Sequence, residues 1–137
     1  MSDKMYLDTN ILVYLFSDDE PEKQQIARKL VHGHSCITGI NNLNEMNCVL
    51  VQKKKLSVEK TRLALDHIVR DVEIAFFRLA TLREALRIME RYNYSYFDSL
   101  VIAMALESNC KMLYTEDMQH GQILASLPES VGGFWLW

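Results

Sequence analysis

The sequence predicts an α/β fold, a central and mainly parallel sheet covered by helices on both faces in a three-layer α/β/α sandwich. Three observations predict it. Short apolar runs alternate with longer stretches of helical period along the chain. The first run, Met5-Tyr6-Leu7, stops at Asp8-Thr9-Asn10, the pattern of a buried strand turning into a helix. A later run, Lys111-Met112-Leu113-Tyr114, stops in the same way at Thr115-Glu116-Asp117. In a parallel sheet with right-handed crossovers the carboxyl ends of the strands share one rim, where ligands bind. Asp8 and Asp117 are expected on that rim.

The elements follow in order. After the first strand, Thr9 to Phe16 reads as a short helix, broken by Ser17-Asp18-Asp19-Glu20. Pro21 suits the first turn of a second helix, which runs to about Val31 with Ile26, Ala27 and Leu30 inward. Ser35-Cys36-Ile37-Thr38 is a second strand. A third helix spans about Ile40 to Lys54 on an Ile40/Leu43/Met46/Leu50 stripe, and three lysines close it at the negative end of its dipole. Ser57 caps a fourth helix carrying Leu63, Leu65 and Ile68, and a third strand is expected within Asp71 to Phe77. Thr81-Leu82-Arg83-Glu84 reads as a capping box opening a fifth helix that ends near Tyr92. Asn93-Tyr94-Ser95 is a loop, a sixth helix opens at Ser95 or Tyr96, and Lys111 to Tyr114 is the fourth strand. A short helical segment and a last strand at Phe134-Trp135-Leu136-Trp137 are expected to follow.

At 137 residues the chain is expected to form one domain, 1–137, with a real core. Hydrophobic residues at 49 % against 24 % charged give a globular balance, and a net charge of −3 argues against wholesale coating of a polyanion. No run of 18 apolar residues is present and the first residues do not form a signal peptide, so a cytoplasmic protein without a membrane partner is expected. Cys36, Cys48 and Cys110, odd in number and without a C-x-x-C pair, fit buried, reduced thiols.

Four acids stand out. Asp8 is the first, and capping the next helix is its ordinary alternative. Asp98 lies in the first turn of a helix whose Leu100 to Leu106 is apolar on every side, where a carboxylate is costly unless paired or bound to a cation. Its ordinary alternative is a capping box with Ser95. Asp117 follows the fourth strand, and Glu116 beside it is an alternative acid. Glu45 sits off the apolar stripe of the third helix among Asn41, Asn42, Asn44 and Asn47; by itself it reads as a solvated glutamate. Carboxylates held within a few ångströms raise one another's pKa and need a counter-charge. An acid cluster without histidine ligands points to Mg²⁺ or Mn²⁺ and away from zinc.

Leu7-Asp8-Thr9-Asn10-Ile11-Leu12, Asn44-Glu45, Tyr96-Phe97-Asp98-Ser99-Leu100-Val101-Ile102-Ala103 and Leu113-Tyr114-Thr115-Glu116-Asp117-Met118 resemble the PIN-domain family in order and spacing. The likeness covers essentially the whole chain and looks nearest to VapC-type ribonuclease toxins. The resemblance implies a PIN-like sandwich and a metal-dependent endoribonuclease, the toxin of a type II toxin–antitoxin pair. Asp8, Glu45, Asp98 and Asp117 fall on the family's acidic positions, as catalytic groups and as ligands of one or two Mg²⁺ or Mn²⁺ ions. Thr115 falls on its hydroxyl position, Thr9 and Asn10 support the first acid, and Glu116 is an extra acid at a variable position. A cognate antitoxin and a homodimer are further implications.

RNA also needs cations. Arg83, Arg87 and Arg91 recur every four residues on the fifth helix and are candidates for phosphate contacts, a solvated face laced with Glu84 and Glu90 being the alternative. Of the histidines only His120, close after Asp117, is a candidate for substrate contact. The competing functions are a catalytically silent PIN-like module that binds RNA or protein and a phosphotransferase with Asp8 as nucleophile. A second aspartate two residues after Asp8 would favour the phosphotransferase, and Asn10 stands there. A DNA or structure-specific nuclease would share the acids but normally carries an additional DNA-binding segment.

Overall fold

The computed structural model describes residues 4–115. Glu116, Asp117, His120 and the Phe134–Trp137 segment lie outside the described residues, as does the short helical segment expected before it. The elements are β1 (Met5–Leu7), α1 (Thr9–Leu15), α2 (Pro21–Gly33), β2 (Cys36–Gly39), α3 (Ile40–Gln52), α4 (Val58–Asp71), β3 (Glu73–Ala75), α5 (Leu79–Tyr92), α6 (Tyr96–Glu107) and β4 (Met112–Tyr114).

The sheet order is β3-β2-β1-β4 and every pairing is parallel. The alternation of side chains along β1 builds the layers. Met5 and Leu7 join the core formed with α1, α2, α3 and α4, whereas Tyr6 joins the one formed with α5 and α6. Both faces are thereby covered, the condition under which short all-parallel strands are stable. The sheet grows from β1 to β2 and β3 on one side, then returns to place β4 on the other. The order therefore reverses at β1, and the crevice beyond the carboxyl ends of β1 and β4 is a topological switch point.

α6 is the all-apolar helix the sequence predicts, with Ser99 to Ala105 buried. Asn93, in left-handed conformation at φ 60°, ends α5, a role asparagine tolerates better than most residues. Several details depart from expectation. α5 opens at Leu79, because Thr81 sits at its third position; its hydroxyl accepts from the Arg78 N–H (3.1 Å) and donates to Glu107 of α6 (2.8 Å). α4 buries Thr61, Ala64 and Ile68 and leaves Leu63 outside, and Ile26 of α2 is likewise exposed. The third strand shrinks to three residues, since Asp71 still belongs to α4 and Phe76 and Phe77 are exposed. Cys36 and Cys110 are buried, but Cys48 is not. No described helix is long and apolar enough to cross a membrane.

Candidate functional site

Asp8 leaves the end of β1 at the switch point and is buried, with 4 % of its surface exposed. It is also the N-cap of α1. Its Oδ1 accepts from the Thr9 N–H at 2.8 Å and from Nδ2 of Asn42 at 3.0 Å, and its Oδ2 accepts from the Thr115 hydroxyl at 2.5 Å. Thr115 follows β4 as Asp8 follows β1, and the Asp8 N–H donates to the Tyr114 carbonyl at 3.0 Å, tying the two strand ends together. Burial of a carboxylate is tolerable when polar donors surround it, and here the backbone, an amide and a hydroxyl do so.

Beside Asp8 lies a cavity of about 310 Å³ lined by Asp8, Thr9, Asn41, Asn42, Asn44, Glu45, Cys48, Phe97, Asp98 and Val101. Three elements thus deliver one acid each. α1 begins at Asp8. α3 turns Asn41, Asn42, Glu45 and Cys48 toward the cavity at helical spacing, which places Glu45 off the buried stripe of Leu43, Met46 and Leu50. α6 begins at the Ser95 cap, whose hydroxyl accepts from the Asp98 N–H (3.1 Å), and half-buried Asp98 lines the cavity. Among the described residues, no three His, Cys, Asp or Glu side chains gather closely enough to hold an ion. The fourth acid, Asp117, and the neighbouring Glu116 lie outside those residues.

Thr9 is buried against Asn42, whose Nδ2 donates to its hydroxyl at 3.0 Å. Asn10, half-buried in the first turn of α1, is not among the described residues lining the cavity, and neither are the α5 arginines. Arg87 is engaged by Glu84 through Nε at 3.0 and 3.1 Å, which holds its guanidinium pKa above the ordinary value. The Arg91 guanidinium lies 5.5 Å from the Tyr92 ring centre and donates to its hydroxyl, and Arg83 is exposed.

Residues that composition did not single out complete the site. The Tyr6 hydroxyl donates to Asn42 Oδ1 at 2.5 Å, and the Gly39 N–H donates to the same oxygen at 3.3 Å. Burial, and then the negative charge of Asp8, push the Tyr6 phenol pKa well above its usual value, so it remains a donor. Gly39 is a matter of room: a Cβ there would stand 2.3 Å from Asn41 Oδ1, 2.4 Å from the Tyr6 hydroxyl oxygen and 2.7 Å from Met104 Cε. The sequence signal available was a glycine between a buried strand and a helix, with an amide three residues on.

A family model for the PIN domain matches residues 5–123. The chain belongs to the PIN-domain family. Among solved structures, the PIN fold here is similar to VapC20 of Mycobacterium tuberculosis, described as a sarcin-ricin loop cleaving toxin. The TM-score is 0.70 and the identity 16 %, over 91 % of this chain and 97 % of that one. It is also similar to VapBC2 of Rickettsia felis bound to a promoter DNA fragment, with TM-score 0.68 and 18 % identity over 98 % of both chains. A toxin–antitoxin complex from Klebsiella pneumoniae gives 0.64 and 20 %, over 82 % of this chain and 86 % of that one. At these identities the likeness is one of fold. No curated protein matches by sequence at a significant level.

Proposed function

We propose that this PIN domain is a metal-dependent endoribonuclease and the toxin of a type II toxin–antitoxin pair. The observation that carries the reading is the opening of Asp8, Glu45 and Asp98, from three separate elements, onto one cavity at the switch point of the sheet. The described neighbours, a toxin that cleaves the sarcin-ricin loop and toxins held by antitoxins, support it at the level of fold.

The donor set fits a hard divalent cation. Among the described residues, the cavity lining offers carboxylate, hydroxyl and amide oxygens and no histidine, which suits Mg²⁺ or Mn²⁺. Asp8, Asp98 and Asp117 would hold the ion, with Glu45 as a further ligand or as the acceptor of a proton from water. Such an ion, when bound, lowers the pKa of a coordinated water and offsets charge on the phosphate. The chain's own part is to aim the acids. Thr115 and Asn42 grip opposite oxygens of Asp8, and the Ser95 cap fixes the turn that carries Asp98. Thr9 stands at the cavity wall beside Asp8; Asn10 would support Asp8, and Glu116 would serve as a further acid next to Asp117 in the sequence. Arg83, Arg87 and Arg91 guide RNA phosphates from the α5 surface. A cognate antitoxin silences the domain by covering the cavity, and the active unit is a homodimer.

The test is cleavage of end-labelled RNA by the purified protein with Mg²⁺ or Mn²⁺ and with EDTA. Asp98→Asn is expected to abolish metal-dependent cleavage while leaving the circular-dichroism spectrum unchanged. Cleavage at the wild-type rate by Asp98→Asn, or in EDTA, overturns the reading.

A further inference from the structure

Asn42 has four hydrogen-bonding sites, two N–H donors and two oxygen lone pairs, and the structure occupies all four. Its oxygen receives the Tyr6 hydroxyl and the Gly39 N–H; its nitrogen gives to Asp8 Oδ1 and Thr9 Oγ1. The residue is 3 % exposed, and all four of these partners come from the protein itself. The orientation of the carboxamide also follows. A backbone N–H only donates, so the atom facing Gly39 must be the oxygen, and the amino group must then face Asp8.

We propose that Tyr6, Gly39 and Asn42 form a positioning unit that aims the Asp8 carboxylate and the Thr9 hydroxyl into the acid cavity. The unit joins four elements. Tyr6 comes from the middle of β1, its ring in the core beneath α5 and α6. Gly39 ends β2, Asn42 lies in the first turn of α3, and Asp8 with Thr9 opens α1. Gly39 leaves room for the contact, because the phenol oxygen, together with Asn41 Oδ1, occupies the space any larger residue would need. Three neighbouring asparagines on α3 share no such set of partners: Asn41 and Asn47 carry buried oxygens without a hydrogen bond among the described residues, and Asn44 is exposed. Asn42 is thus singled out by its tertiary contacts. Groups that orient metal ligands by hydrogen bonding typically cost 10- to 100-fold in metal affinity when removed.

This inference rests on the nuclease reading of the Asp8 cavity, and the experiment separates the two. Mn²⁺ binding is measured by titration calorimetry at 20 °C for the wild type, Asn42→Ala, Tyr6→Phe and Met46→Ala, alongside thermal melts and RNA-cleavage kinetics. Met46 is a fully buried residue of the same helix outside the cavity, so its truncation reports loss of packing alone. Asn42→Ala is expected to weaken Mn²⁺ binding by roughly 10- to 100-fold and to lower kcat with little change in KM. Tyr6→Phe, which keeps the ring and leaves the Gly39 bond in place, is expected to fall between it and the wild type. Met46→Ala is expected to melt earlier with Mn²⁺ affinity intact. Equal Mn²⁺ affinity in the wild type, Asn42→Ala and Tyr6→Phe overturns the positioning role and leaves the nuclease reading standing. Loss of affinity in Met46→Ala equal to that in Asn42→Ala overturns it in favour of a structural role. A wild type that neither binds Mn²⁺ nor cuts RNA overturns both.

Discussion

Replacing Thr115 by valine removes one atom's worth of chemistry at almost constant shape. The Thr115 hydroxyl donates to Asp8 Oδ2 at 2.5 Å, with the two residues 1 % and 4 % exposed. A hydrogen bond to a charged group contributes about 1.5–3 kcal/mol. The expected loss is about 2 kcal/mol, equivalent to a fall of roughly 5–8 °C in melting temperature for a domain of this size. Thr115→Ser keeps the hydroxyl and gives up only a methyl group, so about 1 kcal/mol or less separates it from the wild type. Guanidinium unfolding in EDTA, read by far-UV circular dichroism, measures both. A Thr115→Val protein within 0.5 kcal/mol of wild type would refute the argument that this bond secures Asp8.

Four further outcomes are expected. Cys48 should react with an aromatic disulfide reagent in the native protein, and Cys36 and Cys110 only on unfolding, giving one fast thiol per chain. Burial pushes the Cys36 thiol up to about 11 and Cys110 up to about 12 from the usual 9.0. A proton held more tightly in the folded state contributes stability that is complete below pH 9 and lost as pH rises through the folded values. Unfolding free energy should therefore decline from pH 9 to 11, with a slope of up to about 1.4 kcal/mol per pH unit for each thiol. A flat profile in denaturant melts contradicts this, and Cys36→Ala should reduce the slope. Ser95→Ala removes the α6 cap and should cost about 1 kcal/mol by chemical denaturation. Lys55 sits at φ 58°, so Lys55→Gly should stabilise the fold by about 1 kcal/mol in the same assay.

The acids of the described site were legible because residue type and surroundings disagreed. Asp98 stands in the first turn of an all-apolar helix, and Asp8 interrupts an apolar run; neither fits an ordinary surface. Glu45 was legible only through the PIN resemblance, since a glutamate off a helix stripe looks the same whether it faces bulk water or a cavity. Asn42 was hidden for a stronger reason. It is one of four asparagines in the stretch from Asn41 to Asn47, and what separates it is a phenol 36 residues earlier. The fold shows the same division. The strand–helix alternation and the buried α6 follow from local periodicity. The start of α5 does not, because the Thr81 hydroxyl is drawn to Glu107 on a neighbouring helix. Leu63 misled because the buried face of α4 runs through Thr61, Ala64 and Ile68, a spacing of three and four that leaves residue 63 on the solvent side.

Capping and site chemistry looked like rival explanations for Asp8 and Asp98, yet the structure uses each for the other. The Thr9 N–H binds Asp8 Oδ1, so the turn that starts α1 also fixes the carboxylate at the cavity wall. The Ser95 hydroxyl binds the Asp98 N–H, so capping of α6 falls to serine and Asp98 lines the cavity. Helix N-termini carry the positive end of the peptide dipole, which favours a carboxylate at each start. Placing acids there lets several gather around one cavity at lower electrostatic cost than on a helix middle. The two aspartates thus stand at helix starts for a physical reason. Glu45, one turn further along α3, lacks that help, and it is also the exposed one of the three.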